Sequence, residues 1–185
     1  MKTFPIKAIF LDRDGTIVEE PPGDGSIDSL SKLKLLPNAV KGLKKMSDLG
    51  YTLFVVSNQD GINKGRLSIN LYNKMNSIIN DTFSKSGIKI EKWLVCPHTS
   101  EENCKCRKPK TEMIDSLKKG YTFDFKNSYV VGDREKDIIL AKKLGMKGIL
   151  VKRNEKEYSK IKSKPDFLSP NLFYASKKIK PQDLK

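Results

Sequence analysis

Five short apolar, β-rich runs recur along the chain: KAIFL (7–11), YTLFVVS (51–57), KWLVC (92–96), SYVVG (128–132) and KGILV (147–151). Runs of this length, bounded by turn residues, suit parallel strands buried on both faces. Helical periodicity fills the gaps. Pro37 fits the first turn of a helix running to about Leu49, with Gly50 as its stop. Similar patterns cover about Leu67 to Ser86, Thr111 to Lys119 and Arg134 to Leu144, and each is followed by a glycine. Strand and helix alternating this regularly predict one doubly wound, Rossmann-like α/β domain with right-handed crossovers. At 185 residues the chain suits one domain, with a core over about 7–180. DFLSPNLFYASKKI (166–179) is expected to add an edge strand and a helix, and the charged stretch Lys152 to Lys164 to form a loop.

In such folds ligands bind beyond the carboxyl ends of the strands. The first strand runs into DRDGT (12–16), the second into SNQDG (57–61), the third into a cysteine-rich loop and the fourth into GDREKD (132–137). Any one Asp-Gly pair is usually a turn. Four polar strand ends on one sheet edge point to chemistry, and phosphoryl transfer fits them. Asp12 and Asp14, two residues apart, can supply one carboxylate for attack and another for proton transfer. With Asp133 they would repel one another unless a cation sat among them, and hard oxygen ligands beside a phosphate call for magnesium. Ser57 and Asn58 are candidate phosphate donors and Lys108 a candidate counter-charge, with Arg107 beside it in the binding set.

Residues 96–110, CPHTSEENCKCRKPK, contain every cysteine of the chain and its one histidine. Cys96, His98, Cys104 and Cys106 form a C-x-H-x5-C-x-C pattern, four soft ligands able to close a tetrahedral structural zinc site. The plain alternative is a buried Cys96 with exposed thiols at Cys104 and Cys106. Zinc accounts better for the histidine falling inside the cluster. A filled shell leaves zinc no open position for catalysis, so its expected task in the loop 96–108 is to hold Lys108 in place.

DRDGT, SNQ, RKPK and GDREKD, in this order and each after a strand, resemble the four signature motifs of the haloacid dehalogenase (HAD) superfamily of phosphatases. The resemblance covers about residues 7–150. It implies Asp12 as a nucleophile that becomes an aspartyl-phosphate and Asp14 as the acid and later the base. It also implies Asp12, Asp133 and the carbonyl of Asp14 as magnesium ligands, Ser57 and Lys108 as phosphate holders, and Asp137 just behind the metal. The gaps between motifs leave room only for a minimal cap. The zinc loop is similar to that of the branch containing histidinol-phosphate and heptose 1,7-bisphosphate phosphatases, and EEPP (19–22) with NQDG (58–61) favours the former. The companion half of the bifunctional histidine-biosynthesis enzyme has no counterpart in this sequence, so a stand-alone phosphatase is expected. Glu20 and Asp60 would then face a cationic substrate, whereas Lys64 and Arg66 would suit a second phosphate.

The formal charge of +14 raises a nucleic-acid reading, including a polynucleotide 3′-phosphatase. The lysines are spread along the chain without interleaved aromatics, which favours a solvated surface and a small phosphorylated metabolite as partner. Intact aspartates argue against a non-catalytic zinc-containing module. The sequence shows no apolar run of membrane-spanning length and no signal-peptide core, and three cysteines suit no disulfide framework, so a cytoplasmic address is expected; a monomer is expected as well.

Overall fold

The computed structural model describes residues 5–23, 25–151, 158–159 and 161–181. Six strands form one sheet: β1 (Ala8–Leu11), β2 (Thr52–Asn58), β3 (Ile90–Cys96), β4 (Tyr129–Gly132), β5 (Lys147–Val151) and β6 (Phe167–Ser169). Their spatial order is β3-β2-β1-β4-β5-β6, and every neighbouring pair is parallel. All five expected strands and the edge strand are present, within one or two residues of their expected limits. Most of the expected Lys152–Lys164 loop lies outside the described residues.

Alternation along each strand divides the core in two. Ile9, Leu11, Leu53, Val55, Tyr129, Val131, Ile149 and Val151 face one layer. It contains α1 (Ala39–Asp48), α2 (Ile69–Ser84) and α5 (Leu172–Ser176). Ala8, Phe10, Phe54, Val56 and Val130 face the other, with α3 (Glu112–Asp115) and α4 (Glu135–Lys143). Successive strand side chains point to opposite faces, so runs that are apolar throughout are what a sheet covered on both sides requires.

Two helices depart from the expected pattern. Pro37 lies outside α1, because Asn38 at its start adopts a left-handed φ of 64° that an asparagine tolerates. The segment expected as one helix from Thr111 to Lys119 is α-helical only over Glu112–Asp115, then tightens into a 3-10 turn at Ser116–Lys119. Between β1 and α1 lies only a short flap, pinned by bridges of Val18 to Asp14 and Leu35, and between β2 and the thiol loop only α2 and β3. No larger cap stands over the sheet edge among the described residues. None of the helices there is long and apolar enough to cross a membrane.

Candidate active site

The chain passes from β1 to β2 on one side of the sheet centre and reaches β4 on the other, so the crevice opens where β1 and β4 lie side by side. Asp12 follows β1 directly, and Asp133 follows Gly132 at the end of β4. The Asp12 N–H donates to the Val131 carbonyl at 2.9 Å, which ties the two strand ends together. Lys108 enters from the loop after β3. Its Nζ lies 2.8 Å from Asp12 Oδ1 and 2.7 Å from Asp137 Oδ1, and only 3% of the residue is exposed. Burial alone would lower the pKa of that ammonium, but the two carboxylates outweigh it and hold Lys108 charged. Burial likewise would raise Asp12, yet Lys108, Lys136 and the Arg13 N–H hold its carboxyl below the usual range. The result is an ionised, desolvated carboxylate.

Asp14 is set up in the opposite sense. Burial pushes its carboxyl up, with Asp12 adding to the rise and Arg13 partly offsetting it. Arg13, between the two aspartates, is fully buried against the Tyr72 ring and donates to Asp14 Oδ1 at 2.6 Å. Gln59 Nε2 donates both to Asp14 Oδ2 and to Ser57 Oγ, the latter at 2.8 Å. One carboxylate held ionised beside another pushed towards its acid form is the division of labour that acid–base and nucleophilic chemistry needs.

Asp12, Asp133 and Asp137 offer carboxylate oxygens within 4.8 Å of one another, an arrangement able to hold a cation. The Asp14 carboxylate is outside that group. Asp133 is pushed up to about 7, first by burial and then by the charges of Asp12 and Asp137, with Arg134 offsetting part of the rise. A proton and a metal therefore compete for it below that pH. Asp137 belongs to the framework, because its Oδ2 accepts the Arg134 N–H at 3.1 Å and so caps α4 while its Oδ1 meets Lys108.

The cysteine-rich loop closes on itself. Cys96 Sγ lies 3.1 Å from Cys106 Sγ and 3.6 Å from Cys104 Sγ, and Cys104 and Cys106 are 3.5 Å apart. His98 Nδ1 sits 3.6 Å from Cys96 Sγ and 3.3 Å from Cys106 Sγ. A disulfide would need about 2.05 Å. Thiolates around a tetrahedral ion with metal–sulfur bonds of about 2.3 Å stand about 3.7 Å apart, so the donor set fits such an ion with slight contraction. Burial resists ionisation of Cys104, but the Arg107 N–H and the neighbouring thiols bring its thiol down to about 7. The same loop is fastened to β2. Asn58 donates to the Lys108 carbonyl at 3.2 Å and accepts the Lys108 N–H at 2.9 Å.

Asn58 lines the cleft expected of it, and both ends of its side-chain amide also clamp the Lys108 main chain. Ser57, Lys108, Asp12, Asp14 and Asp133 converge. The cleft, of about 180 Å³, opens beside them and is lined by Glu20, Asp28, Asp60, Arg66, Arg107 and Lys136 among others. Each expected specificity residue is already partnered. Arg134 Nη2 donates to Glu20 Oε2 at 2.7 Å, Lys64 lies 2.8 Å from Asp60, and Arg107 lies 3.6 Å from Asp60 while donating to the His98 carbonyl. Arg13, Gln59, Arg134 and Lys136 had no role in the sequence reading although all four lie inside its motifs. For Gln59 the signal was the i, i+2 spacing from Ser57, which sets both side chains on one side of a strand.

A family model described as HAD-hydrolase-like matches residues 105–175. Among curated proteins the chain is similar to "Histidine biosynthesis bifunctional protein HisB" of Campylobacter jejuni subsp. jejuni, serotype O:6. The identity is 40% over 143 residues, covering 77% of this chain and 41% of that protein. The protein of the same name from Buchnera aphidicola subsp. Schizaphis graminum is 35% identical over 167 residues, 90% of this chain and 46% of its own length. The chain thus spans less than half the length of these relatives. Among solved structures, D,D-heptose 1,7-bisphosphate phosphatase from B. bronchiseptica, complexed with magnesium and phosphate, superposes with a TM-score of 0.85. It is 22% identical, covering 94% of this chain and 97% of that one, a likeness of fold.

Proposed function

We propose that this chain, which is similar to HAD-like hydrolases, is a magnesium-dependent phosphomonoesterase whose substrate is a small phosphate ester, L-histidinol phosphate. One observation carries the reaction class: a buried, ionised Asp12 stands two residues from an acid-leaning Asp14 that lines a small polar cleft. Asp12 attacks phosphorus and becomes an aspartyl-phosphate. Asp14 gives its proton to the departing alkoxide and then takes one from the water that hydrolyses the intermediate. Lys108 keeps the nucleophile ionised and, with the Ser57 hydroxyl, holds phosphate oxygens. Asp12 and Asp133, with the Asp14 carbonyl, would hold magnesium, which when bound neutralises the crowded carboxylates and orients the phosphoryl group.

The choice of substrate rests on similarity to the histidine-biosynthesis proteins and on the acidic residues of the cleft. The ammonium and imidazole of histidinol phosphate would meet Glu20 and Asp60. A bisphosphate is the second reading, favoured by Arg66, Arg107 and Lys136 in the same cleft. Glu20 shares its charge with Arg134, so Glu20→Gln is expected to lower kcat/KM for histidinol phosphate by about 5- to 10-fold, or about 1 kcal/mol. Activity on p-nitrophenyl phosphate should hold. Measuring both substrates and heptose 1,7-bisphosphate in wild type and variant tests this; preference for the bisphosphate with indifference to Glu20→Gln would move the assignment.

We assign zinc to Cys96, His98, Cys104 and Cys106, as a structural ion that fixes Lys108 two residues beyond the last ligand. Cys104→Ser should lose bound zinc and melt earlier. It should also lower kcat more than KM, because Lys108 loses its fixed approach to Asp12. Elemental analysis alongside a thermal melt decides it: full zinc retention, or wild-type protein prepared without chelators and free of zinc, rejects the assignment.

A further inference from the structure

The tripeptide Ser57-Asn58-Gln59 divides its work among three different partners. Ser57 belongs to the phosphate position, Asn58 clamps the Lys108 peptide on both sides, and Gln59 reaches back to Asp14. Gln59 is only 8% exposed and is fixed at its own main chain, where its N–H donates to the carbonyl of the thiol-loop residue Cys96 at 2.7 Å. The two hydrogens of its Nε2 go to Asp14 Oδ2 and Ser57 Oγ. Since a hydroxyl has one hydrogen to give, a Ser57 that accepts from Gln59 keeps its own proton for a phosphate oxygen. Asp14 is gripped from two directions, Arg13 on Oδ1 and Gln59 on Oδ2. Arg13 supplies charge from the protein interior, while Gln59 reaches Asp14 from just beyond β2, the strand that bears the phosphate holder.

We propose that Gln59 is a positioning residue that holds the leaving-group acid Asp14 in register with the phosphate-holding hydroxyl of Ser57, anchored through Cys96 to the thiol loop. The inference rests on the phosphatase reading above. Its consequence depends on the leaving group. An alkyl phosphate needs a proton delivered to a poor leaving group, whereas p-nitrophenolate departs without one. The later hydrolysis of the aspartyl-phosphate, in which Asp14 acts as base, is common to both esters; only the first step, read in kcat/KM, separates a misaligned acid by leaving group. A loosened Ser57 would raise KM for both substrates alike and cancel in their ratio.

The test is kcat and KM of wild type, Gln59→Met and Gln59→Leu on histidinol phosphate and on p-nitrophenyl phosphate, each protein checked for folding and zinc content. Methionine preserves length and leucine preserves apolar bulk; neither donates. The expected result is a loss in kcat/KM of about 10- to 100-fold for the alkyl ester and of no more than about threefold for the aryl ester, whatever the common hydrolytic step does to kcat. In an Asp14→Asn background the same Gln59→Met change should cost little on either substrate, since the residue it acts through has lost its proton. Equal losses on both substrates, or a full loss persisting in the Asp14→Asn background, overturn the proposal while leaving the phosphatase reading intact. A folded, metal-replete wild type that hydrolyses neither ester overturns that reading, and this inference with it.

Discussion

Asp12→Asn is expected to reduce kcat by about a thousandfold or more on every phosphate ester, with the fold retained. Asparagine has the shape of aspartate but no anionic oxygen with which to attack phosphorus. The surroundings survive the exchange. The residue-12 N–H still donates to Val131, the Arg13 N–H still has a side-chain oxygen to meet, and Lys108 keeps Asp137 at 2.7 Å. The buried ammonium is thus never left without a carboxylate, which would cost about 3–5 kcal/mol. One negative charge also leaves the group formed with Asp133 and Asp137, so magnesium should bind more weakly. Steady-state rates, together with mass spectrometry of acid-quenched protein for an acyl phosphate, separate lost chemistry from lost binding. Substantial turnover by the purified variant, or a phosphorylated residue other than Asp12, would remove it as the nucleophile.

Gly132→Ala is expected to damage both stability and activity, although residue 132 touches no substrate. Gly132 ends β4 in register with Leu150, and a β-carbon there would lie 2.3 Å from Cγ and Oδ2 of Asp137. That carboxylate cannot swing aside freely, because it is fully buried, caps α4 through the Arg134 N–H and contacts Lys108. Moving it disturbs the helix start and the counter-charge of the nucleophile together. Overpacking at such a point costs about 2–3 kcal/mol, or about 5–10 °C in Tm for a domain of this size. Activity should fall at least about tenfold as Lys108 shifts relative to Asp12. Gly120→Ala is the control, since a β-carbon there meets nothing within 4 Å. A Gly132→Ala protein with unaltered melting and kinetics would mean that Asp137 is not held as described.

The layered α/β fold and the chemistry-bearing residues could be read in the sequence because both are written locally. Strands buried on both faces must be apolar throughout, and the aspartates of DRDGT and GDREKD lie at the ends of such runs. The thiol cluster was legible for the same reason, its four donors falling within eleven residues of chain, 96–106. Where local reading failed, a local competitor had decided: Asn38 in a left-handed conformation delays the helix expected at Pro37. The partnerships of the site were decided by tertiary structure alone. Asn58 meets Lys108 across 50 residues, Gln59 meets Asp14 across 45, and Arg134 meets Glu20 across 114. Periodicity reports which face of an element is buried, and composition reports which groups are available. Which donor meets which acceptor depends on strand order and register, and these follow from packing the whole sheet, in which β1 lies between β2 and β4.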